Sequence, residues 1–175
     1  MNEKLKNAAL LVIDVQQGMF EKSTRVYQAD QLIRNISTLV QAAQQAGVLV
    51  IYIQHSGERD LIRGSHEWRF HPDLLKLGPD ITVHKQYGNA FQETGLDEIL
   101  KARGVDTLVV TGMVTHGCVK ATTLGGLAAG YQVILVSDAH SSYSQKAGEL
   151  IIEWNAKLEK QGAVLKCTAE VHFTD

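Results

Sequence analysis

The chain has 175 residues, 45% hydrophobic and 21% charged, with a formal net charge of −2. That length suits one hydrophobic core and is short for two, so a single domain over residues 1–175 is expected. The near-neutral balance, with no basic face and no lysine-arginine cluster, argues against nucleic acid or an anionic membrane as partner.

No run approaches the ~18 apolar residues of a membrane helix. The opening MNEKLKNAALLVIDVQ lacks the apolar core and cleavage site of a signal peptide, so the expected location is cytoplasmic. Two cysteines, Cys118 and Cys167, are too few for a disulfide framework.

Along the chain, strand and helix signals alternate. AALLVID, residues 8–14, reads as a first strand. Leu32, Ile33, Ile36, Leu39, Val40 and Ala43 then recur at helical spacing between about Ala29 and Ala46, and Gly47 ends that helix. VLVIYIQ, residues 48–54, is the second strand. The polar stretch from His55 to Asp80 holds Trp68, Phe70 and the only two prolines, and is long enough for a lid or binding loop.

ITVHK is a short third strand, followed by a helix over about Leu96–Arg103. TLVVTG is the fourth strand, with a helix from about Gly117 to Ala129 behind it. QVILVSDA, a helix over about Gln145–Lys160 and a last strand AVLKC complete the pattern. Nearly all-apolar strands alternating with helices predict a three-layer α/β/α fold: a doubly wound, mainly parallel sheet of about six strands. Such sheets carry their sites at the carboxyl ends of the strands.

Asp14, Lys85 and Cys118 each follow the carboxyl end of a predicted strand, so all three are expected on one rim. Cys118 opens a predicted helix, where unpaired backbone N–H groups and the helix dipole favour thiolate over thiol. Cys118 then reads as a nucleophile, Asp14 as its proton shuttle, and Lys85 as a charge that lowers both pKa values. The competing readings are a small buried apolar residue for Cys118, a turn cap for Asp14 and a solvated strand-end charge for Lys85. Cys167, in the last strand, reads as packing.

These residues lie in three ordered stretches, LLVIDVQQGMF, VHKQYGNAF and LVVTGMVTHGCVKATTLGGLAAGYQVILVSDA. Together they resemble the isochorismatase-like cysteine hydrolases, the superfamily of nicotinamidases, carbamoylsarcosine amidohydrolase and ureidoacrylate amidohydrolases. The resemblance implies a catalytic triad of Asp14, Lys85 and Cys118. It also implies a cis peptide between Met113 and Val114, which turns a backbone N–H inward so that the amides of Val114 and Cys118 form an oxyanion hole. The implied reaction is two-step hydrolysis of a small amide or carbamoyl compound through a thioester. A small-molecule substrate, no cofactor and a homo-oligomer belong to the same expectation.

Two departures from the family pattern matter. Metal-binding nicotinamidases carry Asp-x-His after the second strand, where this chain has Gln54 and His55; His55, His66 and His71 are the remaining candidate ligands, no metal is expected, and nicotinamide is disfavoured as substrate. The family's aromatic near the end of the first motif is shifted, with Met19 in its place and Phe20 next; these two and Trp68 are candidate pocket residues. Trp68 and Phe70 either line a pocket or pin the long loop.

His116 is expected to point away from Cys118, and His84 away from Lys85. His140 and Tyr143 lie on the rim side but stand outside the expected triad. Gly125, Gly126 and Ala128 read as close helix–sheet packing. Two alternatives remain: a catalytically silent scaffold of the same fold, and isochorismatase-type enol-ether hydrolysis that does not use the cysteine.

Overall fold

A computed structural model of the chain describes residues 5–77 and 81–174. Its sheet contains β1 (Ala8–Ile13), β2 (Leu49–His55), β3 (Ile81–Lys85), β4 (Thr107–Met113), β5 (Gln132–Ser141) and β6 (Val164–Lys166). The order across the sheet is β3-β2-β1-β4-β5-β6 and every pairing is parallel. The helices are α1 (Gln17–Phe20), α2 (Ala29–Gln45), α3 (Leu96–Ala102), α4 (Lys120–Ala128) and α5 (Ala147–Lys160).

Strand geometry explains why the core has two halves. Successive side chains point to opposite faces, so Leu10, Val12, Val50 and Tyr52 join one cluster while Ala9, Leu11, Ile13, Ile51 and Ile53 join the other. Helix α2 covers the first cluster with Leu32, Ile33, Ile36, Leu39, Val40 and Ala43. Full burial of a residue such as Ile36 contributes roughly 1.5–3 kcal/mol. Residues of α3 and α5 cover the second, with Leu96, Leu100 and Leu158 in contact with it. On that face Gly126 of α4 lets the helix close on the sheet: a Cβ there would lie 2.8 Å from Leu108 Cδ1.

Strand order reverses between β1 and β4, and this opens a crevice at their carboxyl ends. Gly112, near the end of β4, has φ of 114°, and a Cβ at that position would meet the Ile13 carbonyl oxygen at 2.1 Å. Only glycine fits against β1 there. Gly112→Ala is therefore expected to lower stability by about 3 kcal/mol or more, read from urea unfolding. A loss under 1 kcal/mol would contradict this packing.

Several boundaries differ from the sequence expectation. β2 extends to His55, because that residue pairs in register with Lys85. The helix expected from Gly117 is instead a π-type turn over Thr115–Val119, with Val119 N–H donating to the Val114 carbonyl, leading into α4. β5 runs on to Ser141 through a bulge: Val110 pairs with Leu135, but Gly112 pairs with His140.

The long loop is fastened down by its aromatics. Trp68 donates Nε1–H to Ser56 Oγ at 2.9 Å and stacks on His84, while Phe70 meets the ring of Tyr52 edge-on. Residues 78–80, the end of the segment read as a candidate lid, lie outside the described residues.

Candidate active site

Lys85, His55, Asp14 and Cys118 stand at the rim in the spatial order of β3, β2, β1 and the turn after β4. Lys85 reaches inward from the edge strand. Its Nζ donates to Asp14 Oδ2 at 2.9 Å and Cys118 Sγ at 3.2 Å, and lies 3.0 Å from His55 Nδ1. The side chains of both Lys85 and Asp14 are fully buried. An ammonium carries three donors and no acceptor, so these three partners complete its shell. His55 Nδ1 must then be the acceptor and the ring neutral. Burial first, then the Lys85 charge, hold the His55 pKa below its ordinary value, consistent with that neutral ring.

Asp14 leaves β1 in a left-handed conformation, φ 50°, which aspartate tolerates better than most side chains. Its N–H donates to the Ile53 carbonyl at 3.0 Å, and this fixes where the carboxylate points. Oδ2 is taken by Lys85, whereas Oδ1 is buried with no hydrogen-bond partner among the described residues. The peptide between Met113 and Val114 is cis. Directly after it, the Val114 carbonyl accepts from Gly117 and Val119 N–H, and this shapes the turn that presents Cys118.

The electrostatics differ from the preformed thiolate expected for a cysteine at a helix start. Burial first, and the Asp14 carboxylate second, push the Cys118 thiol up to about 12, with Lys85 pulling the other way. Desolvation outweighs the helix end, and this favours the protonated thiol in the resting site. Iodoacetamide labelling of Cys118 is accordingly expected to be slow at pH 7. It should climb about tenfold per pH unit through pH 10, and a plateau below about pH 8.5 would show a thiolate already formed.

Two residues outside the expected triad belong to this site. His55, weighed in the sequence only as a metal ligand, is a direct partner of Lys85. Gln16 is fully buried; its Oε1 accepts from His55 N–H at 2.9 Å, and its Nε2 donates to the carbonyls of His55 and Trp68 at 3.0 and 2.8 Å. Gln16 thus pairs with the His55 backbone as a neighbouring strand would. Its place two residues after Asp14, just beyond the first strand, was the available signal.

Among the described residues, the set of three ligating side chains whose ligand atoms lie within 4.8 Å of one another is Asp14, His55 and Cys118. The Lys85 ammonium sits among those same atoms, where a cation would go. His66 instead pairs with Glu21, and His71 accepts from Asp73 N–H, so His55, His66 and His71 do not converge.

Met19 is packed in the α2-side core, and Phe20 lies against the His71 ring with centroids 4.4 Å apart. Trp68 is held by Ser56 and His84. His116 and His84 are exposed, pointing away from the triad as expected. His140 is buried between β5 and α5, bonded to Thr115 and Asn155. Tyr143 lies on the α2-side core, its ring beside Lys22.

Fold and site together define a doubly wound α/β protein with a buried aspartate–lysine pair against a cysteine at the strand-order reversal. The chain belongs to the isochorismatase family: residues 8–169 match the model of the isochorismatase domain. It is 34% identical to a streptothricin hydrolase of Streptomyces noursei over 137 residues, 77% of this chain and 54% of that protein. The chain thus spans about half the length of the streptothricin hydrolases it matches. It is 26% identical over 159 residues to a maleamate amidohydrolase of Pseudomonas putida, 78% of this chain and 75% of that one. Among solved structures, a cysteine hydrolase of Pseudomonas syringae pv. phaseolicola superposes with a TM-score of 0.85 at 28% identity, covering 94% of this chain and 90% of the other.

Proposed function

We propose that the chain is a cysteine-dependent hydrolase of a small amide or carbamoyl compound. The observation that carries this reading is Lys85 bonded at once to the Asp14 carboxylate and the Cys118 sulfur, with Asp14 Oδ1 left without a hydrogen-bond partner among the described residues. A free carboxylate oxygen next to a protonated thiol is a base in place for one proton transfer. The likeness to a maleamate amidohydrolase supports amide chemistry.

In the first step the Cys118 thiol proton passes to Asp14 as sulfur adds to the carbonyl carbon. The resulting oxyanion is held by the amides of Val114 and Cys118. Asp14 then gives that proton to the departing ammonia or amine, the C–N bond breaks and a thioester remains. Asp14 next takes a proton from water as the hydroxide adds to the thioester. Collapse releases the acid, and the proton returns to sulfur. Lys85 keeps its charge throughout, so the buried group stays electrically balanced at each stage.

The test is ammonia release from a panel of small amides that includes maleamate, with intact-mass analysis during turnover. A transient mass increase equal to the acyl group, mapped to the peptide containing Cys118, is the expected result. Turnover with no adduct, and with full activity after Cys118 is alkylated, would overturn the thioester route. The second reading is enol-ether hydrolysis in which Asp14 acts as general acid and sulfur takes no part; a thiol that burial keeps protonated is compatible with it.

A further inference from the structure

His140 is a buried titratable group that the thioester route does not use, and its surroundings fix its state. The bulge in β5 sets it opposite Gly112, where β4 gives way to the turn carrying Cys118. Only 3% of its surface is exposed. Nδ1 lies 2.8 Å from Thr115 Oγ1, and Nε2 lies 2.8 Å from Asn155 Oδ1 on α5. Asn155 Nδ2 in turn donates to the Ser137 carbonyl at 3.3 Å.

The last of these contacts gives the chain its direction. A carbonyl can only accept, so the Asn155 amide nitrogen faces Ser137 and its oxygen faces His140. His140 Nε2 must then carry the hydrogen, Nδ1 must be bare, and the Thr115 hydroxyl must be the donor. Burial, the largest influence on this ring, lowers its pKa to about 4, outweighing the Asn155 bond and the Asp138 charge. The neutral tautomer therefore persists across the working range.

Thr115 lies between Val114 and Cys118 and is itself fully buried. Its hydroxyl ties the turn to β5, and through His140 and Asn155 to α5. We propose that His140 is a positioning residue for Cys118, acting through the Thr115 hydroxyl to hold the 114–118 turn in the setting that presents the sulfur and the neighbouring backbone amides. This rests on Cys118 being the reacting group. Neutral histidine suits the task, since it accepts from a hydroxyl on one side and donates to an amide oxygen on the other, spanning two elements with one rigid ring. Misplacement of a reacting group by about 1 Å is enough to slow a reaction ~100-fold.

The test compares Thr115→Val, Thr115→Ser and His140→Leu with the wild-type chain. Thr115→Val keeps the shape and removes the donor; Thr115→Ser keeps the donor. The first readout is hydrogen exchange of the Gly117 and Val119 amides, both bonded to the Val114 carbonyl. The second is the rate of iodoacetamide labelling of Cys118 at pH 9. The third is the His140 ring by 15N NMR.

Exchange at least tenfold faster and a labelling rate changed at least fivefold are expected in Thr115→Val and His140→Leu, with most of the wild-type behaviour restored in Thr115→Ser. The NMR is expected to show Nε2–H with no titration between pH 5.5 and 8. Wild-type exchange and labelling in Thr115→Val, or a serine variant no better than valine, would overturn the proposal. So would an Nδ1–H tautomer. Failure of the hydrolase reading would look different: amide turnover indifferent to Cys118 with the turn still loosened by Thr115→Val.

Discussion

Cys118→Ala is expected to lower ammonia release from any small amide the wild-type chain hydrolyses by about a thousandfold or more. The size follows from what remains. Asp14, Lys85 and the backbone donors would still bind and polarise a carbonyl, but no covalent route would be left, and water would have to enter a pocket shaped around sulfur. Cys118→Ser is expected to fall nearly as far, because a serine hydroxyl is far less acidic than a thiol and Asp14 is a weak base for it. The measurement is a coupled ammonia assay, with folding checked by circular dichroism. An enol-ether substrate behaves oppositely under the second reading, Cys118→Ala leaving its cleavage within a fewfold of wild type. A variant active on amides would sink the thioester mechanism, whatever happens to enol ethers.

Lys85→Met should both abolish turnover and lower stability by about 3–5 kcal/mol, the range for stripping one partner from a buried ion pair. Both side chains of the Asp14–Lys85 pair are fully buried. Without the ammonium, the carboxylate loses its charge partner and Oδ2 loses its hydrogen bond, while Oδ1 has no hydrogen-bond partner among the described residues. The combination Asp14→Leu with Lys85→Met removes both charges at once, and is expected to recover most of the stability while remaining inactive. Urea unfolding of the two single variants and the double variant closes the cycle. A single-variant loss below 1 kcal/mol would mean that the pair is not held dry.

That cycle separates two things the site needs from Lys85. One is charge balance, which an apolar pair can replace. The other is geometry, which it cannot: the three donors of Nζ reach three different elements and hold Asp14, His55 and Cys118 at fixed separations. Gln16 supports the same arrangement from beneath by pairing with the His55 backbone. A site built this way loses function before it loses its fold when a single neutral contact is removed.

The alternation of apolar strands with amphipathic helices was enough to predict the parallel sheet, since period-2 and period-3.6 patterns are local properties of the chain. It also placed Asp14, Lys85 and Cys118 on one rim, because residues that follow strands of a parallel sheet share an edge. What the chain alone could not supply was anything set by distance between elements. His55 looked like a loop residue until register with Lys85 drew it into β2. His140 became a contact of the Cys118 turn only through a bulge that no periodicity signals.

The thiol shows the limit most clearly. From sequence, a cysteine at the start of a helix near a lysine reads as a thiolate. In the folded chain it is half-buried beside a carboxylate, and desolvation outweighs the lysine. Sequence determined which groups reach the crevice; tertiary packing decided their protonation, because burial is a property of everything around a residue rather than of its neighbours along the chain.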